Sequence, residues 1–121
     1  AKIIKCYDGD TCHCIFKHNG IYQTFHIRMD GYDSWEMKPN KNLSEEKRNE
    51  LVLKANIAKK RLEELILDKN VYIMCGKYDK YGRILASVKL KLNDTKTIND
   101  IMIAENHGYI YHGGTKKQYD K

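Results

Sequence analysis

The sequence predicts an α+β chain that is mainly β: a five-stranded Greek-key barrel of the OB type with two or three helices packed on it. Three observations lead there. The segments run strand, strand, strand, helix, strand, strand, helix. Asn19-Gly20 sits between two alternating runs, the mark of a tight hairpin whose turn needs positive φ at both central residues. Leu51, Ala55, Ala58, Leu62 and Leu65 recur at the spacing of one helix face. The 121 residues suit one domain spanning 1–121, long enough to bury a core.

Residues 2–8 and 11–17 are strand-like, broken at Gly9. The return strand of the hairpin is 21–29. Its alternation puts Ile21, Phe25 and Ile27 on the core face, and Tyr22, Thr24, His26 and Arg28 on the other. Arg28 is therefore expected to point away from the core. Residues 37–50 are polar and mostly loop-like. Ser44 is a candidate helix cap, with Glu45 and Glu46 in the first turn. The helix that follows ends near Leu67, and Lys59, Lys60, Arg61 and Glu64 form its solvated side. Residues 71–76 are expected to be a short buried strand and 77–82 a turn. In 83–90, Ile84, Ala86, Val88 and Leu90 face in, while Arg83, Ser87 and Lys89 face out. A second helix runs from Asn99 or Asp100 to His107, with Gly108 suited to the residue just past its end.

Lys and Arg total 22 against 16 Asp and Glu, a net charge of +6. That excess favours acidic partners, nucleic acid first. No apolar run reaches the roughly 18 residues of a spanning helix, so no membrane role is expected. No secretory signal is evident, and an opening at Ala1 rather than Met is what trimming of a leader or tag would leave. Cys12 and Cys14 alternate with His13 in a strand, their Cα atoms roughly 6.6 Å apart with parallel side chains, a poor disulfide geometry. Both read as core-facing. All four cysteines, with Cys6 and Cys75, are read as reduced, which leans towards an intracellular compartment and leaves a secreted one open. A zinc site on Cys12, Cys14 and His18 lacks the second ligand cluster such sites use.

Three polar clusters carry candidate chemistry. Asp8-Gly9-Asp10-Thr11 sets two carboxylates on one side of an extended backbone, a donor set for Ca²⁺, Mg²⁺ or Mn²⁺. Taken alone, Asp-Gly is better explained by a turn. RMDGYDSWE, residues 28–36, holds Arg28, Asp30, Asp33 and Glu36 where a strand gives way to a loop. KYDKYGRILA, residues 77–86, gathers Lys80, Tyr81 and Arg83 at a turn entering a strand. Arginine grips phosphate in two-pronged fashion and tyrosine stacks on bases.

Together and in this order, DGDT, then Arg28-x4-Asp33-x-x-Glu36, a helix carrying Ala55 and Ala58, Asp79-Lys80-Tyr81-Gly82-Arg83, and HGYIY at 107–111 resemble the staphylococcal nuclease (thermonuclease) family. The resemblance runs from Ile3 to Tyr111. It implies an OB-type barrel and a Ca²⁺-dependent phosphodiesterase that cuts DNA and RNA to 3′-phosphate ends. Position by position, Asp10 and Asp33 match carboxylate ligands of Ca²⁺, and Ser34 matches the residue whose backbone carbonyl reaches the metal. Asp8 matches a supporting acid near the ion. Glu36 matches the general base, Arg28 and Arg83 the arginines on the scissile phosphate, and Lys80 and Tyr81 the nucleotide contacts.

Four departures stand out. The family's Thr-Pro-Glu is Ser34-Trp35-Glu36 here, which removes a stiff residue before Glu36. Asp30 adds an acid where an apolar residue is usual. The late nucleotide-packing tyrosine has three candidates, Tyr109, Tyr111 and Tyr119, and the C-terminal helix of longer members is short or missing. The chemistry is coherent: a divalent ion neutralises a phosphodiester, a carboxylate takes the proton of water, and guanidiniums stabilise the charge that develops. Nothing in the set reads base edges, so little sequence preference is expected. Single strands should enter more readily than duplex, and a monomer is the default for this size. Two readings compete with an active nuclease. One is a module of the same family that binds nucleic acid without cutting. The other is a plain single-strand binder, which would have no use for the carboxylates.

Overall fold

Asn19 and Gly20 adopt φ of 51° and 81°, so the hairpin turn has the two left-handed residues its sequence asks for. It joins β2 (Thr11–His18) to β3 (Ile21–Met29) in unbroken antiparallel register, Thr11 facing Arg28 and His18 facing Ile21. In this computed structural model residues 1–111 are described, Tyr111 as backbone. The remaining elements are β1 (Lys2–Cys6), β4 (Gly31–Ser34), α1 (Glu45–Ile66), β5 (Tyr72–Tyr78), β6 (Ile84–Lys89), α2 (Ile98–Ala104) and β7 (Gly108–Tyr111).

Five strands form one sheet in the order β1-β2-β3-β6-β5, and only β3 and β6 run parallel. This is the mainly β, OB-like architecture expected, with two helices among the described residues. The barrel is not closed by strand pairing. Its edge is instead fastened where the chain approaches β5: Ala1 and Val71 exchange hydrogen bonds at 3.0 and 2.7 Å, Ile3 N–H donates to Lys69 O, and Asp68 N–H donates to Ile3 O.

The core lies inside the curled sheet. Ile3, Cys12, Cys14, Ile27, Met29 and Val88 pack against Ala58, Leu62 and Ile66 of α1 and against Ile98 and Met102 of α2. The inward placement of Cys12 and Cys14 agrees with the alternation. Ser44 caps α1, its hydroxyl accepting the Lys47 N–H, and the buried stripe is Leu51, Ala55, Ala58, Leu62 and Ile66. Ile66 takes the place expected of Leu65, which packs at the margin. None of the described helices is long and apolar enough to cross a membrane.

Three expectations are corrected and a fourth is extended. The strand at 71–76 is not buried: β5 is an exposed sheet edge, because β6 covers one side only. Gly108 does not end the second helix. Asn106, at φ 63°, makes that turn, and Gly108 opens β7, where a Cβ would lie 2.6 Å from the Asp33 carbonyl oxygen. Residues 31–34 are not loop but strand: β4 pairs with β7 in a two-stranded ribbon, with Asp33 facing Tyr109 and Ser34 facing Gly108. Arg28 is on the outward row of β3 as the alternation requires, yet it is buried, because β4 folds back over it. Asn99, which carries no obvious signal in the sequence, holds this region together: its side chain bonds Val88 N–H, Ala86 O and Asp30 O.

Candidate active site

The start of β2, the end of β3 and the ribbon converge on Asp10. Asp8 begins the arrangement, its Oδ1 accepting the Asp10 N–H at 3.0 Å. The intervening Gly9 is required by space, since a Cβ there would collide with the Ser34 hydroxyl and come within 2.8 Å of the Ala58 methyl. Its carbonyl accepts the phenol hydroxyl of Tyr32, a side chain fully buried beneath the site. Burial pushes the Tyr32 phenol well above its ordinary value, so it acts as a neutral donor.

Asp10 is buried, and each carboxylate oxygen is engaged. Oδ1 accepts the Thr11 hydroxyl at 3.0 Å, and Oδ2 accepts the Ser34 N–H at 2.8 Å and faces Arg28 Nη1 at 3.3 Å. Burial pushes its carboxyl up from the usual aspartate range. Arg28 opposes this, Asp8 reinforces it, and the Ser34 N–H opposes it. Arg28 bridges the two acids: Nη2 meets Asp33 Oδ1 at 3.1 Å, while Nη1 also donates to the carbonyls of Met29 and Tyr32, each at 2.9 Å. Asp33 Oδ2 accepts the Tyr109 hydroxyl at 3.2 Å, and the Ser34 hydroxyl donates to His107 O at 2.8 Å. His107 and Tyr109, just before and within β7, thus fasten both ribbon residues from the far side.

Arg83 joins from the turn before β6. Its Nη1 is 3.5 Å from the Thr11 hydroxyl, and its Nε donates to Asp79 Oδ2 at 2.7 Å. Asp79 is the organiser of that turn, its Oδ1 also accepting the N–H groups of Tyr81 and Arg83. Burial works against the Asp79 carboxylate, but those two N–H groups and the Arg83 side chain hold it below the usual range. Tyr81 is 71% exposed, with Arg83 5.3 Å and Lys80 5.2 Å from its ring centre.

The structure therefore draws Asp8, Asp10, Asp33, Ser34, Arg28 and Arg83 into one continuous network. Lys80 and Tyr81 stand at its rim. Glu36 is exposed, two residues beyond Ser34 in the loop leaving β4, and Asp30 is also exposed. Trp35, where the family's proline is lost, is held by other means. Its ring meets Tyr109 edge to face at 5.7 Å, Lys54 lies 5.0 Å from its centre, and its Nε1 donates to Asn106 O at 3.4 Å. Of the tyrosine candidates, Tyr109 reaches the site, the Tyr111 side chain is not described and Tyr119 lies outside the described residues. Thr11 and Asp79 were not assigned roles from sequence. Asp79 could have been found: Asp at the first position of a turn closed by Gly is a side chain that bonds its own backbone.

Among the described residues, no three His, Cys, Asp or Glu side chains are gathered to hold a metal ion. The donor chemistry nonetheless fits a hard divalent cation. Asp10 and Asp33 are two buried carboxylates against one bridging guanidinium, which leaves a net negative charge, and all their donors are oxygens. Ca²⁺ accepts few carboxylates and completes its shell with backbone carbonyls and water.

A family model described as staphylococcal nuclease homologue matches residues 26–121. The chain belongs to the staphylococcal nuclease family. The match takes in Arg28, Asp33, Ser34, Glu36, Lys80, Tyr81 and Arg83, and begins after Asp8 and Asp10. In this staphylococcal nuclease homologue the family supports a nuclease or nucleic-acid-related function in general. No curated protein matches the chain.

Proposed function

We propose that this protein is a Ca²⁺-dependent nuclease that hydrolyses DNA and RNA, preferably single-stranded, with little regard to sequence, leaving 3′-phosphate ends. The observation that carries the reading is the pairing of two buried carboxylates, Asp10 and Asp33, with two guanidiniums, Arg28 and Arg83, in one hydrogen-bonded network. Asp10 and Asp33 share the single guanidinium of Arg28, which leaves the acids one negative charge in excess for a cation, while Arg83, held by Asp79, stands at the edge of the same network.

Asp10, Asp33 and the Ser34 carbonyl would hold the ion, with Asp8 orienting Asp10 through its N–H. The bound ion supplies charge neutralisation at the phosphate and Lewis acidity towards water. Arg83, presented by Asp79, offers its Nη groups to a phosphate oxygen. Arg28 spends three of its five N–H donors on Met29, Tyr32 and Asp33, which leaves two of the fork for the same phosphate. Each such contact to charge that develops in the transition state supplies roughly 3–4 kcal/mol. Glu36 takes the proton of the attacking water, the 5′-oxygen leaves, and Tyr81 and Lys80 meet the nucleotide at the rim. One domain, one chain and one site suffice.

A second reading is a module that binds nucleic acid without cutting. The commitment of Arg28 to both acids favours it, since the same bonds would serve as a buried structural ion pair. Digestion of heat-denatured DNA and of RNA, with Ca²⁺ and with chelator, separates the two. Cleavage that chelator abolishes is expected. Protein that binds strands but leaves them intact with every divalent ion overturns the nuclease reading.

A further inference from the structure

The outward face of β2 and β3 continues away from the site in register. Thr11 faces Arg28, the next outward pair is His13 with His26, and a further one is Lys17 with Tyr22. The two histidine rings are stacked, their centres 4.0 Å apart and their planes within 3°. Tyr7 extends the stack from the other side, 6.1 Å from His13 at an angle of 25°, and is 60% exposed. Lys5, which faces His13 across the β1–β2 ladder, lies 5.3 Å from the centre of the Tyr7 ring. Lys17 lies 5.8 Å from that of Tyr22. Burial, then His26, then Lys5 hold His13 below its ordinary value, so near neutral pH it offers a ring face rather than a charge.

Three rings in a ladder, flanked by exposed lysines and beginning one residue pair from Arg28, do nothing for the core. None of them enters the network around Asp10. We propose that this face is the track for the stretch of single-stranded nucleic acid next to the bond that is cut, an inference that rests on the nuclease reading. Bases stack on the Tyr7–His13–His26 ladder, and phosphates run past Lys5 and Lys17. The occupant follows from complementarity: every base has a π-face for the rings and every phosphate a charge for the lysines, while a duplex keeps its bases inside. The track begins at the outward pair next to Arg28 in the β2–β3 register, so one strand can reach both.

Binding of a fluorescent single-stranded DNA of about 12 nucleotides, followed by anisotropy in chelator so that no cleavage intervenes, tests this. Tyr7→Ala and His26→Ala should each weaken binding about tenfold. Tyr7→Phe and His26→Phe, which keep a ring, should retain most of it. Lys5→Ala should weaken binding and reduce its salt dependence by about one phosphate contact. Alanine variants that bind within about twofold of the parent overturn the proposal, as does loss of binding in the phenylalanine variants equal to that in the alanine ones. Polyglutamate binding that matches DNA and falls in the same variants also overturns it, in favour of an acidic polypeptide. If ring-dependent binding is found in protein that cuts nothing, the track stands and the nuclease reading falls. If the protein cuts and the ring variants bind normally, the reverse holds.

Discussion

Arg28 Nη2 donates to Asp33 Oδ1 at 3.1 Å, with both side chains about nine-tenths out of water. The same guanidinium faces Asp10. Its removal leaves two buried acids without their shared cation, and breaking a buried pair in this way costs about 3–5 kcal/mol. Arg28→Ala should therefore lower the urea midpoint markedly. Lysine keeps the charge but cannot reach two carbonyls and two acids with one ammonium, so Arg28→Lys should recover only part of the loss. A midpoint unchanged in Arg28→Ala would show that the pairing adds nothing to stability.

Arg83 and Glu36 are the better probes of chemistry, since neither is fully buried. Arg83→Ala should cut the rate about 10²–10³-fold and Glu36→Ala about 10²–10⁴-fold, with circular dichroism unchanged. Near-normal turnover in either would show that its proposed role is wrong.

Asp79 predicts a pH effect. Its carboxyl is held below the usual range despite burial, so it stabilises the fold above its unfolded value of about 3.9 and loses that effect as pH falls through the lower folded value. The stability difference between the parent and Asp79→Asn should be constant near neutrality and shrink only in acid below about pH 4. A difference that shrinks on the alkaline side would contradict the assignment.

Gly9 lies against Ser34 and Ala58 with no room for a Cβ. Gly9→Ala should destabilise by about 1–3 kcal/mol through overpacking. Ala58→Gly in the same chain should recover part of this if the helix contact is the cause. Additive losses would place the strain at Ser34 alone.

The thiols should divide by exposure. Cys75 is exposed, while Cys6, Cys12 and Cys14 are buried, with burial raising Cys6 to about 12 and Cys14 to about 11. One thiol should react rapidly with a disulfide reagent, and three should wait for unfolding. The Cys75→Ser variant should lose the fast phase.

The hairpin, the first helix and the inward cysteines were legible because each rests on local chemistry: turn residues, a 3.6-residue stripe, a two-residue alternation. The ribbon of 31–34 with 108–111 was not. Its partners lie more than seventy residues apart, and four-residue strands leave too short a pattern. The same gap hid the burial of Arg28, whose outward direction was right while the strand that covers it went unseen. In the site, Asp10, Asp33 and Arg83 were found by motif and are brought together. Tyr109 joins the network, and Thr11 links it to Arg83, only through contacts that span the fold.

The ribbon also sets a time at which the site can exist. His107, Gly108 and Tyr109 supply the carbonyl, the close-packed backbone and the hydroxyl that clasp Ser34 and Asp33. A chain still on the ribosome, with those residues unmade or inside the exit tunnel, has its acids and arginines but not the clasp. The cell's own messenger RNA is then the nearest nucleic acid. The order of elements thus leaves the proposed cutting centre without its clasp until synthesis has passed it.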